Sequence, residues 1–478
     1  MVKFTDRREE LALFRDRFDN LRKGELFILS GRRRVGKTEL VRKFLETVPQ
    51  AQRLYLFVDE GTPQDMLRSL ADDVGVAWPQ EKPAFANWDD FFGYLNTKCS
   101  ETGKLVVVID EFQRLHIDPR AFSRLQRVWD TKLKDKPIML ILLGSAVSAI
   151  YKIAISHRSP LFGRATANLK LDPFEYQAFR EALAEARLTE ETKMRLYATF
   201  GGLPRYLEFS EQVKTKDYLD VVEENVLRKN GLLREEPSTI LTMELRDTGR
   251  YNSILAAIAK GHRTLKEISD QTGIESSGLL FYIERLSKAM NLIEKRSPVC
   301  GSKMSPQFVL KDNFFKFWYN FVARYASALE INNYKLVREQ ITTQIEAMTG
   351  LVFEDVVREL VRKHNNASLG KMPIKVTELG GWWDRSGNEI DICGQSKESL
   401  LLGEVRWRKE PVDYSDAVHF HEKRHLVQCT SGQRANTTMF FVSKSGFENK
   451  AKLFLEEHGI FMFDLKDVTA AYDKLPRK

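Results

Sequence analysis

Short apolar runs separated by amphipathic stretches dominate the first 175 residues of the chain. Residues 6–21 carry apolar side chains at helical spacing and lead into the first of these runs. The runs have the length of buried strands and lie at 26–29, 54–58, 105–109 and 138–143, with a weaker one at 168–171. Strands that alternate with helices predict an α/β fold with a doubly wound, mostly parallel sheet.

The pattern then changes twice before residue 340. Residues 173 to about 240 lose the strand pattern and favour helices, with a Gly-Gly-Leu-Pro turn at 201–204. Residues 250–312 predict three amphipathic helices, with Gly273 at the turn between the second and third. Two short extended runs follow, at 292–293 and 308–310. This order predicts a helix-turn-helix with a wing.

The remainder of the chain predicts a separate α/β unit. Its expected elements are a helix at 339–364, extended segments at 374–379, 388–393 and 399–407, a helix at 413–428, a strand at 437–442, a helix at 447–457 and a strand at 460–463. We therefore expect four parts: residues 1–172, 173–245, 246–335 and 336–478. No Gly/Ser-rich linker separates them, so we expect them to pack on one another.

Residues 31–38 form a complete phosphate-binding loop, G-x-x-x-x-G-K-[ST], between a predicted strand and a predicted helix. Its glycines allow successive N–H groups to point at phosphate oxygens, and the helix N-terminus adds its positive dipole end. Lys37 is expected to reach the β- and γ-phosphates, and the Thr38 hydroxyl to ligate Mg²⁺. The expected nucleotide-binding residues are Gly31, Arg32, Arg33, Arg34, Val35, Gly36, Lys37 and Thr38.

Two carboxylates end the apolar strand at 105–109. Asp110 is expected to hold the Mg²⁺ shell, and Glu111 to polarise the attacking water. Ser145 follows the next strand, where a polar side chain can contact the γ-phosphate or the water. Together with the loop, these residues predict binding and hydrolysis of a nucleoside triphosphate.

Bulk composition narrows the class of protein only modestly. The 478 residues carry a net charge of +8, which is compatible with nucleic-acid binding without requiring it. No apolar run approaches the ~20 residues that span a bilayer, and the N-terminus lacks the apolar core of a signal peptide. The four cysteines are far apart, so we expect no disulfide framework or thiolate metal site, and a cytoplasmic location.

Several motifs together resemble the archaeal-type ATPase family, a branch of the AAA+-related STAND P-loop NTPases. They are Phe4-Thr5-Asp6-Arg7, the loop at 31–38, Ile109-Asp110-Glu111-Phe112, Gly144-Ser145, Pro160-Leu161-Phe162-Gly163-Arg164 and Gly202-Leu203-Pro204-Arg205-Tyr206-Leu207. The resemblance covers about residues 1–330. One departure is Arg32, where the family more often has Pro.

This resemblance implies an AAA+-like sheet with a helical lid, and a winged helix used for regulation. It implies an ATP-driven switch rather than a motor. The Gly-x-Pro turn is expected near the nucleotide, which makes Pro204 a nucleotide-binding candidate. Arg164 becomes a candidate for stabilising the charge of the transferring phosphate, and Arg158 is a weaker one.

The C-terminal unit resembles the restriction-endonuclease-like PD-(D/E)xK core that often follows this ATPase. The matching residues are Glu354 on the helix, Asp391 on one strand, and Glu404 with Arg406 on the next. Three converging carboxylates are a hard-oxygen Mg²⁺ site suited to phosphodiester hydrolysis. However, Arg406 stands where the motif has lysine, and arginine cannot act as a tunable amine. An active nuclease and a degenerate DNA-binding or structural core both stay open.

A formal H-E-x-x-H match occurs at 421–425. Lys and Arg occupy its two central positions, where zinc-protease helices bury uncharged residues, so we interpret it as a chance match.

The main hypothesis is therefore an ATP-binding and ATP-hydrolysing STAND-type switch that acts on or near nucleic acid. The alternative is an ATP-gated DNA- or partner-binding regulator whose nuclease-like core is not catalytic. Both use ATP and Mg²⁺ and neither involves a membrane, while DNA and a second copy of the chain are partners that stay open.

Overall fold

Five parallel strands form the sheet of the N-terminal part in the computed structural model, which describes residues 4–145, 150, 159–245, 247–428, 433 and 436–476. The strands are β1 (Glu25–Gly31), β2 (Arg53–Phe57), β3 (Leu105–Asp110), β4 (Ile138–Gly144) and β5 (Ala167–Leu171), in the spatial order β2-β3-β4-β1-β5. Every neighbouring pair is parallel. The predicted α/β fold with a parallel sheet is confirmed.

Helices cover both faces of this sheet, which explains why its central strands consist of apolar residues. The helices are Arg8–Asp19, Lys37–Leu45, Pro63–Ala77, Trp88–Thr102 and Pro119–Val128. Along β1, Phe27 and Leu29 enter one hydrophobic cluster, whereas Leu26 and Ile28 enter the other. Alternate residues of a strand point to opposite faces, so the two clusters are the two sides of the sheet.

A helical region follows the sheet. Its helices are Tyr176–Ala182, Glu190–Phe200, Leu207–Gln212, Tyr218–Val222 and Glu236–Glu244. The predicted turn at 201–204 lies between the second and third, and Gly202 is essential there, because a Cβ at this position would lie 1.9 Å from the Phe174 carbonyl oxygen. We refer to residues 173–245 as the lid region.

Three helices and a two-stranded antiparallel sheet occupy residues 248–310. The helices are Thr248–Ala259, Leu265–Thr272 and Ser276–Glu284, and the strands are β6 (Ile293–Arg296) and β7 (Gln307–Leu310). Gly273 ends the second helix with a φ of 69°, as its position at the turn predicts. The next helices, Asn313–Trp318 and Ala326–Glu330, lead back toward the lid region, where Asn313 Nδ2 donates to the Tyr197 carbonyl at 3.1 Å.

The C-terminal unit is a mixed five-stranded sheet beside a 30-residue helix, Tyr334–Lys363. The strands β10 (Glu378–Trp383), β11 (Glu389–Gln395), β12 (Leu400–Arg406), β13 (Thr437–Ser443) and β14 (Phe461–Asp464) lie side by side in that order, with further helices Tyr414–Lys423, Asn449–Glu457 and Leu465–Asp473. The pairs β10–β11 and β11–β12 are antiparallel and the other two are parallel. A hairpin of β8 (Ala367–Leu369) and β9 (Met372–Ile374) precedes the sheet, and it and the last helix were not predicted.

The expectation that no disulfide forms is wrong. Cys300, in the loop between β6 and β7, is bonded to Cys393 on β11, and both side chains are buried. Their separation of 93 residues gives no local signal, because only the packing of that loop on the C-terminal sheet brings them together. Cys99 is a buried free thiol, and Cys429 lies outside the described residues.

The parts of the chain are joined by polar contacts as well as by apolar packing. On the long helix, Glu346 accepts from Arg195 of the lid region at 2.6 Å and from the Trp407 indole at 3.0 Å. Lys444, next to β13, pairs with Glu191 at 2.6 Å. In the described part of the chain, no helix combines the length and apolarity required to cross a membrane.

Candidate functional site

The phosphate-binding loop connects the end of β1 to the helix that begins at Lys37. Gly31 has a φ of 154°, and a Cβ there would lie 2.6 Å from the Leu171 carbonyl oxygen. Gly36 has a φ of 91° as the residue preceding the helix. Both positions therefore need glycine, as the motif predicts.

Lys37 is folded back onto the loop. Its ammonium donates to the carbonyl oxygens of Gly31 at 2.7 Å and Arg32 at 3.0 Å. Burial lowers the pKa of Lys37 to about 8, although the nearby carboxylates of Glu111 and Asp110 counter this effect. A nucleotide phosphate in the loop would give this buried cation a charged partner in place of the carbonyls.

Thr38 and Asp110 meet across the sheet, although 72 residues separate them. The Thr38 hydroxyl donates to Asp110 Oδ2 at 3.0 Å, and the Tyr55 hydroxyl donates to the same oxygen. The contact arises because β4 is the only strand between β1 and β3, so the carboxyl ends of these strands lie close together. A hydroxyl and a carboxylate at this distance are a hard-oxygen pair that suits Mg²⁺.

Glu111 is positioned by its backbone and by two side chains. Its φ of 54° turns the residue out of β3, and its N–H donates to Asp110 Oδ1 at 2.8 Å. Ser145 Oγ donates to the two carboxylate oxygens at 2.9 and 3.1 Å, and Gln113 Nε2 donates as well. Ser145 therefore contacts Glu111 directly, and its contact with the γ-phosphate or the water stays a prediction.

One cavity of about 610 Å³ collects most of the predicted residues. Its lining includes Lys37, Thr38, Asp110, Glu111, Ser145 and Pro204. The ring of Pro204 comes within 3.7 Å of the position that a Cβ of Gly36 would occupy. The lid turn thus forms one wall against the phosphate loop.

Arg164 lies elsewhere. Its guanidinium binds the Asp130 carboxylate at 2.7 and 2.9 Å and also donates to the Pro160 and Phe162 carbonyls, and it does not line the cavity. Arg158 lies outside the described residues. A role of Arg164 in hydrolysis stays a prediction.

The three loop arginines use their side chains to contact other parts of the chain. Arg32 is buried against Asp312, and Arg34 pairs with Glu236 at 2.8 Å. Arg33 Nη1 lies 2.9 Å from the Met243 sulfur. These partners are more than 200 residues away, so the motif alone could not reveal them.

The carboxylates predicted in the C-terminal unit fall in one region. Asp391 Oδ2 accepts from the Val405 N–H at 2.8 Å, and Arg406 contacts Glu404 and lies 3.7 Å from Asp391. Burial raises the pKa of Glu354, and the charge of Asp391 adds to this; burial and Glu404 likewise raise the pKa of Asp391. Among the described residues, no group of three or more His, Cys, Asp or Glu side chains is arranged to hold a metal ion.

Lys423 is a further charged residue at this site that no sequence motif indicates. This buried lysine at the end of the helix Tyr414–Lys423 donates to both carboxylate oxygens of Glu404, at 2.9 and 3.1 Å. It lies 19 residues after Glu404, so the strand motif gives no hint of it. An amine therefore accompanies Glu404 even though Arg406 replaces the motif lysine.

The H-E-x-x-H match lies at the end of a helix, outside any group of three or more metal-ligating side chains in the described residues. The helix ends at Lys423, before His425, and the His421 ring packs on His458 with centroids 4.3 Å apart. This arrangement agrees with a chance match.

Comparisons with known proteins identify the family. Residues 4–209 match the family described as an ATPase domain predominantly from Archaea. The uncharacterized protein MJECL04 of Methanocaldococcus jannaschii is 32% identical over 410 residues, which covers 85% of this chain and 88% of that protein. The chain belongs to this archaeal ATPase family. Residues 318–421 of the chain match a second family, described as archaeal and bacterial proteins of unknown function.

Two further similarities concern the ATPase part. The uncharacterized ATP-binding protein MJ0423 of the same organism is 56% identical over 46 residues, which covers 10% of this chain and 76% of that protein. The structure of a Walker-type ATPase of Pyrococcus abyssi superposes with a TM-score of 0.51 at 21% identity, over 66% of this chain and 96% of that one. The chain therefore has a P-loop ATPase fold, and the 610 Å³ cavity lies at the phosphate-binding loop of that fold.

Proposed function

We propose that this archaeal ATPase binds ATP with Mg²⁺ at residues 31–38, hydrolyses it, and works as a STAND-type switch whose output is a nucleic-acid-directed C-terminal unit. The observation that carries the proposal is the convergence of Lys37, Thr38, Asp110 and Glu111 in one cavity. These side chains supply the cation, the metal ligands and the carboxylate that phosphoryl transfer to water needs.

Each residue has a definite role in this proposal. Lys37 leaves its loop carbonyls and binds the β- and γ-phosphates. Thr38 and Asp110 would hold Mg²⁺, which neutralises phosphate charge when it is bound. Glu111, held by Ser145, orients a water and accepts its proton. Pro204 covers the site from the lid side.

The switch function is supported by the loop arginines. Arg32 connects the phosphate loop to Asp312, the N-cap of the helix that follows β7, and Arg34 connects it to Glu236 of the lid region. A phosphate that rearranges residues 32–34 therefore acts directly on both regions. We propose that this is how ATP changes the position of residues 246–335.

We propose that residues 246–335 are a winged helix and that residues 336–478 are a PD-(D/E)xK-like core, with residues 1–172 as the ATPase sheet and 173–245 as the lid. The helix pair separated by Gly273 and the β6–β7 hairpin support the first assignment. Glu354, Asp391 and Glu404, on one helix and two adjacent strands, support the second.

For the C-terminal unit, Lys423 favours a catalytic core, because it places an amine, the group that the motif has and that Arg406 does not supply, at the Glu404 carboxylate. The second candidate is a regulator with a degenerate core. The observation that favours it is that Arg406 and Lys423 already neutralise Glu404, which would weaken its hold on a metal.

The ATPase proposal is tested by phosphate release from the full-length protein and its Lys37→Ala variant. The matched control is Lys43→Ala, which removes an exposed lysine from the same helix, where it pairs with Glu46. We expect Lys37→Ala to abolish turnover and Lys43→Ala to retain it. Equal turnover in the wild type and Lys37→Ala would sink the assignment.

The nuclease question is decided by incubating single- and double-stranded DNA and RNA with the wild type and Asp391→Ala, with Mg²⁺ or Mn²⁺. Metal-dependent cleavage that Asp391→Ala and Lys423→Gln both lose supports the catalytic core. Absence of cleavage together with salt-dependent binding supports the regulator.

A further inference from the structure

A cavity of about 360 Å³ lies where the helix-turn-helix unit meets the C-terminal sheet. We propose that it binds one nucleotide of a single-stranded nucleic acid, with the phosphate held by Lys316 and Arg263 and the base on Trp383. This inference rests on the proposed function, because it places the substrate of the C-terminal unit. The proposed site also includes Lys316 and Arg263, which lie outside the C-terminal unit.

Unmatched cations on the wall of the cavity indicate an anion. Among the described residues, the Lys316 ammonium has no hydrogen-bond acceptor or ion-pair partner, although Asp355 and Glu354 are within electrostatic reach. In the described part of the chain, the Arg263 guanidinium makes a single long contact, 3.5 Å to the Gln307 side chain. Both side chains are partly buried. Cations withdrawn from water are normally paired, so two poorly matched ones facing a cavity point to an anionic ligand.

Two further cations of the cavity, Arg296 and Arg358, are already paired. Arg296 binds Glu294 at 2.8 Å and Asp355 at 2.9 Å. Arg358 binds Asp355 and donates to the Asp391 carbonyl at 2.9 Å, which leaves its Nε buried without a partner. Asp355 therefore forms ion pairs with two arginines, and it forms none with Lys316.

The same cavity contains carboxylates, which distinguishes it from a simple phosphate pocket. Glu354 and Asp391 line it together with Lys316 and Arg263. Carboxylates next to an anion site are unfavourable unless a divalent cation is bound with the anion. Glu354 and Asp391 would supply the protein's oxygen ligands to such a cation, which would offset their charge beside a phosphodiester.

An aromatic surface completes the site. Trp383 of β10 lines the cavity and is partly exposed, whereas the neighbouring Trp382 is buried in the core. A base can stack on an indole without regard to its sequence. Cation, carboxylate and aromatic groups together match the three parts of a metal-bound nucleotide.

The volume of the cavity favours a single-stranded nucleic acid over a duplex. Its volume is at the small end of the range for small-molecule sites, which is enough for about one nucleotide. A base pair within a duplex cannot enter such a space unless the nucleotide leaves the stack. We therefore assign the site to a single-stranded segment or an unpaired end.

The test is the anisotropy of a labelled oligothymidylate titrated with the full-length protein in Ca²⁺, at fixed salt and without ATP. We expect Lys316→Met and Arg263→Gln each to weaken binding by about tenfold or more. We expect Trp383→Ala to weaken it by about tenfold as well. Lys316→Arg should keep most of the affinity, and Lys450→Ala, which removes an exposed lysine of the C-terminal unit, should keep all of it.

Several outcomes would overturn the inference. The first is an unchanged affinity in both Lys316→Met and Arg263→Gln. The second is a duplex that binds and is not displaced by the single strand. The third is binding of thymidine monophosphate without binding of the oligonucleotide. Melting temperatures show whether each variant is folded. If the Lys316 variant is unfolded, the affinity of the Arg263 variant decides the test. ATP turnover measured in the same variants separates a failure of this site from a failure of the ATPase proposal.

Discussion

At the residue scale, the ATP site depends on side chains that hold the reactive groups in place. Glu111 leaves β3 with a φ of 54°, a conformation that is uncommon for a residue with a Cβ, and hydrogen bonds from Ser145 and Gln113 fix its carboxylate. Its position on the wall of the cavity suits the activation of water rather than the binding of ATP.

The first prediction follows from this geometry. Glu111→Gln should reduce ATP hydrolysis by at least about 100-fold, because an amide cannot accept the proton of the attacking water. ATP affinity should change little. Rapid-quench single-turnover assays and nucleotide titrations measure the two quantities separately.

The matched control is Glu46→Gln, which removes an exposed carboxylate from the end of the neighbouring helix. Hydrolysis by Glu111→Gln at the control's rate would show that another group activates the water.

A second prediction concerns the buried pair of Arg32 and Asp312. Arg32→Ala leaves the buried Asp312 carboxylate without its partner, and should lower the free energy of unfolding by about 3–5 kcal/mol. The double variant Arg32→Met with Asp312→Asn should lose less, since asparagine can still cap the Phe315 N–H. Urea unfolding measures both; a double variant that is no more stable than Arg32→Ala would contradict this account.

The residue scale also shows what the sequence could and could not predict. The proposed roles of Lys37 and Thr38 follow from the loop motif, and that of Asp110 follows from its place at the end of an apolar strand. The contacts of Arg32 with Asp312 and of Lys423 with Glu404 depend on how distant segments pack, so no spacing rule could reveal them.

At the element scale, helix ends are capped across the boundaries between parts of the chain. The helix Tyr176–Ala182 has no side-chain cap of its own, and Glu359 of the long helix accepts from the N–H groups of Tyr176 at 2.9 Å and Gln177 at 3.3 Å. One carboxylate therefore connects the lid region to the C-terminal unit.

This carboxylate makes stability depend on pH. Burial, with a contribution from Glu175, raises the pKa of Glu359 to about 7, although Lys363 and the two N–H groups oppose the shift. The folded state thus binds a proton more tightly than the unfolded state, so the stabilising effect is full below about pH 4.5 and is lost as pH rises through about 7.

The third prediction compares unfolding free energies of the wild type and Glu359→Gln across this pH range. The wild type should lose up to about 3 kcal/mol relative to the variant between pH 4.5 and 7. Parallel pH profiles for the two proteins would show that Glu359 is ionised in the folded state at all these values.

At the element scale, the strands and helices with a strong hydrophobic pattern were the ones that the sequence predicted. The central strands β1, β3 and β4 are nearly continuous apolar runs because helices bury both faces, and the sequence predicted all five strands, with the weakest pattern at β5. The hairpin β8–β9 was missed because each of its strands has only three residues, and two positions of β8 are exposed.

At the scale of the whole molecule, apolar packing and a disulfide connect the parts of the chain. One hydrophobic cluster extends from the ATPase sheet through the lid region to the C-terminal sheet. The Cys300–Cys393 disulfide adds a covalent link between the loop after β6 and β11, two residues from Asp391. The absence of linkers in the sequence predicted the packing, but not this bond.

The fourth prediction is that the disulfide stabilises the molecule. Closing a loop of 93 residues should contribute about 4 kcal/mol, chiefly by restricting the unfolded chain. Dithiothreitol should therefore lower the urea midpoint of the wild type, and leave that of the Cys300→Ser, Cys393→Ser double variant unchanged. An equal response of both proteins to reductant would contradict the prediction.

The central claim is that the nucleotide at residues 31–38 controls what the C-terminal unit does with nucleic acid. The most direct measurement is the affinity of full-length protein for a single-stranded oligonucleotide without nucleotide, with ADP and with a non-hydrolysable ATP analogue. We expect the analogue to change the affinity of the wild type by at least about fivefold, and to have no effect on Lys37→Ala. Equal affinities of the wild type in all three conditions would contradict the claim.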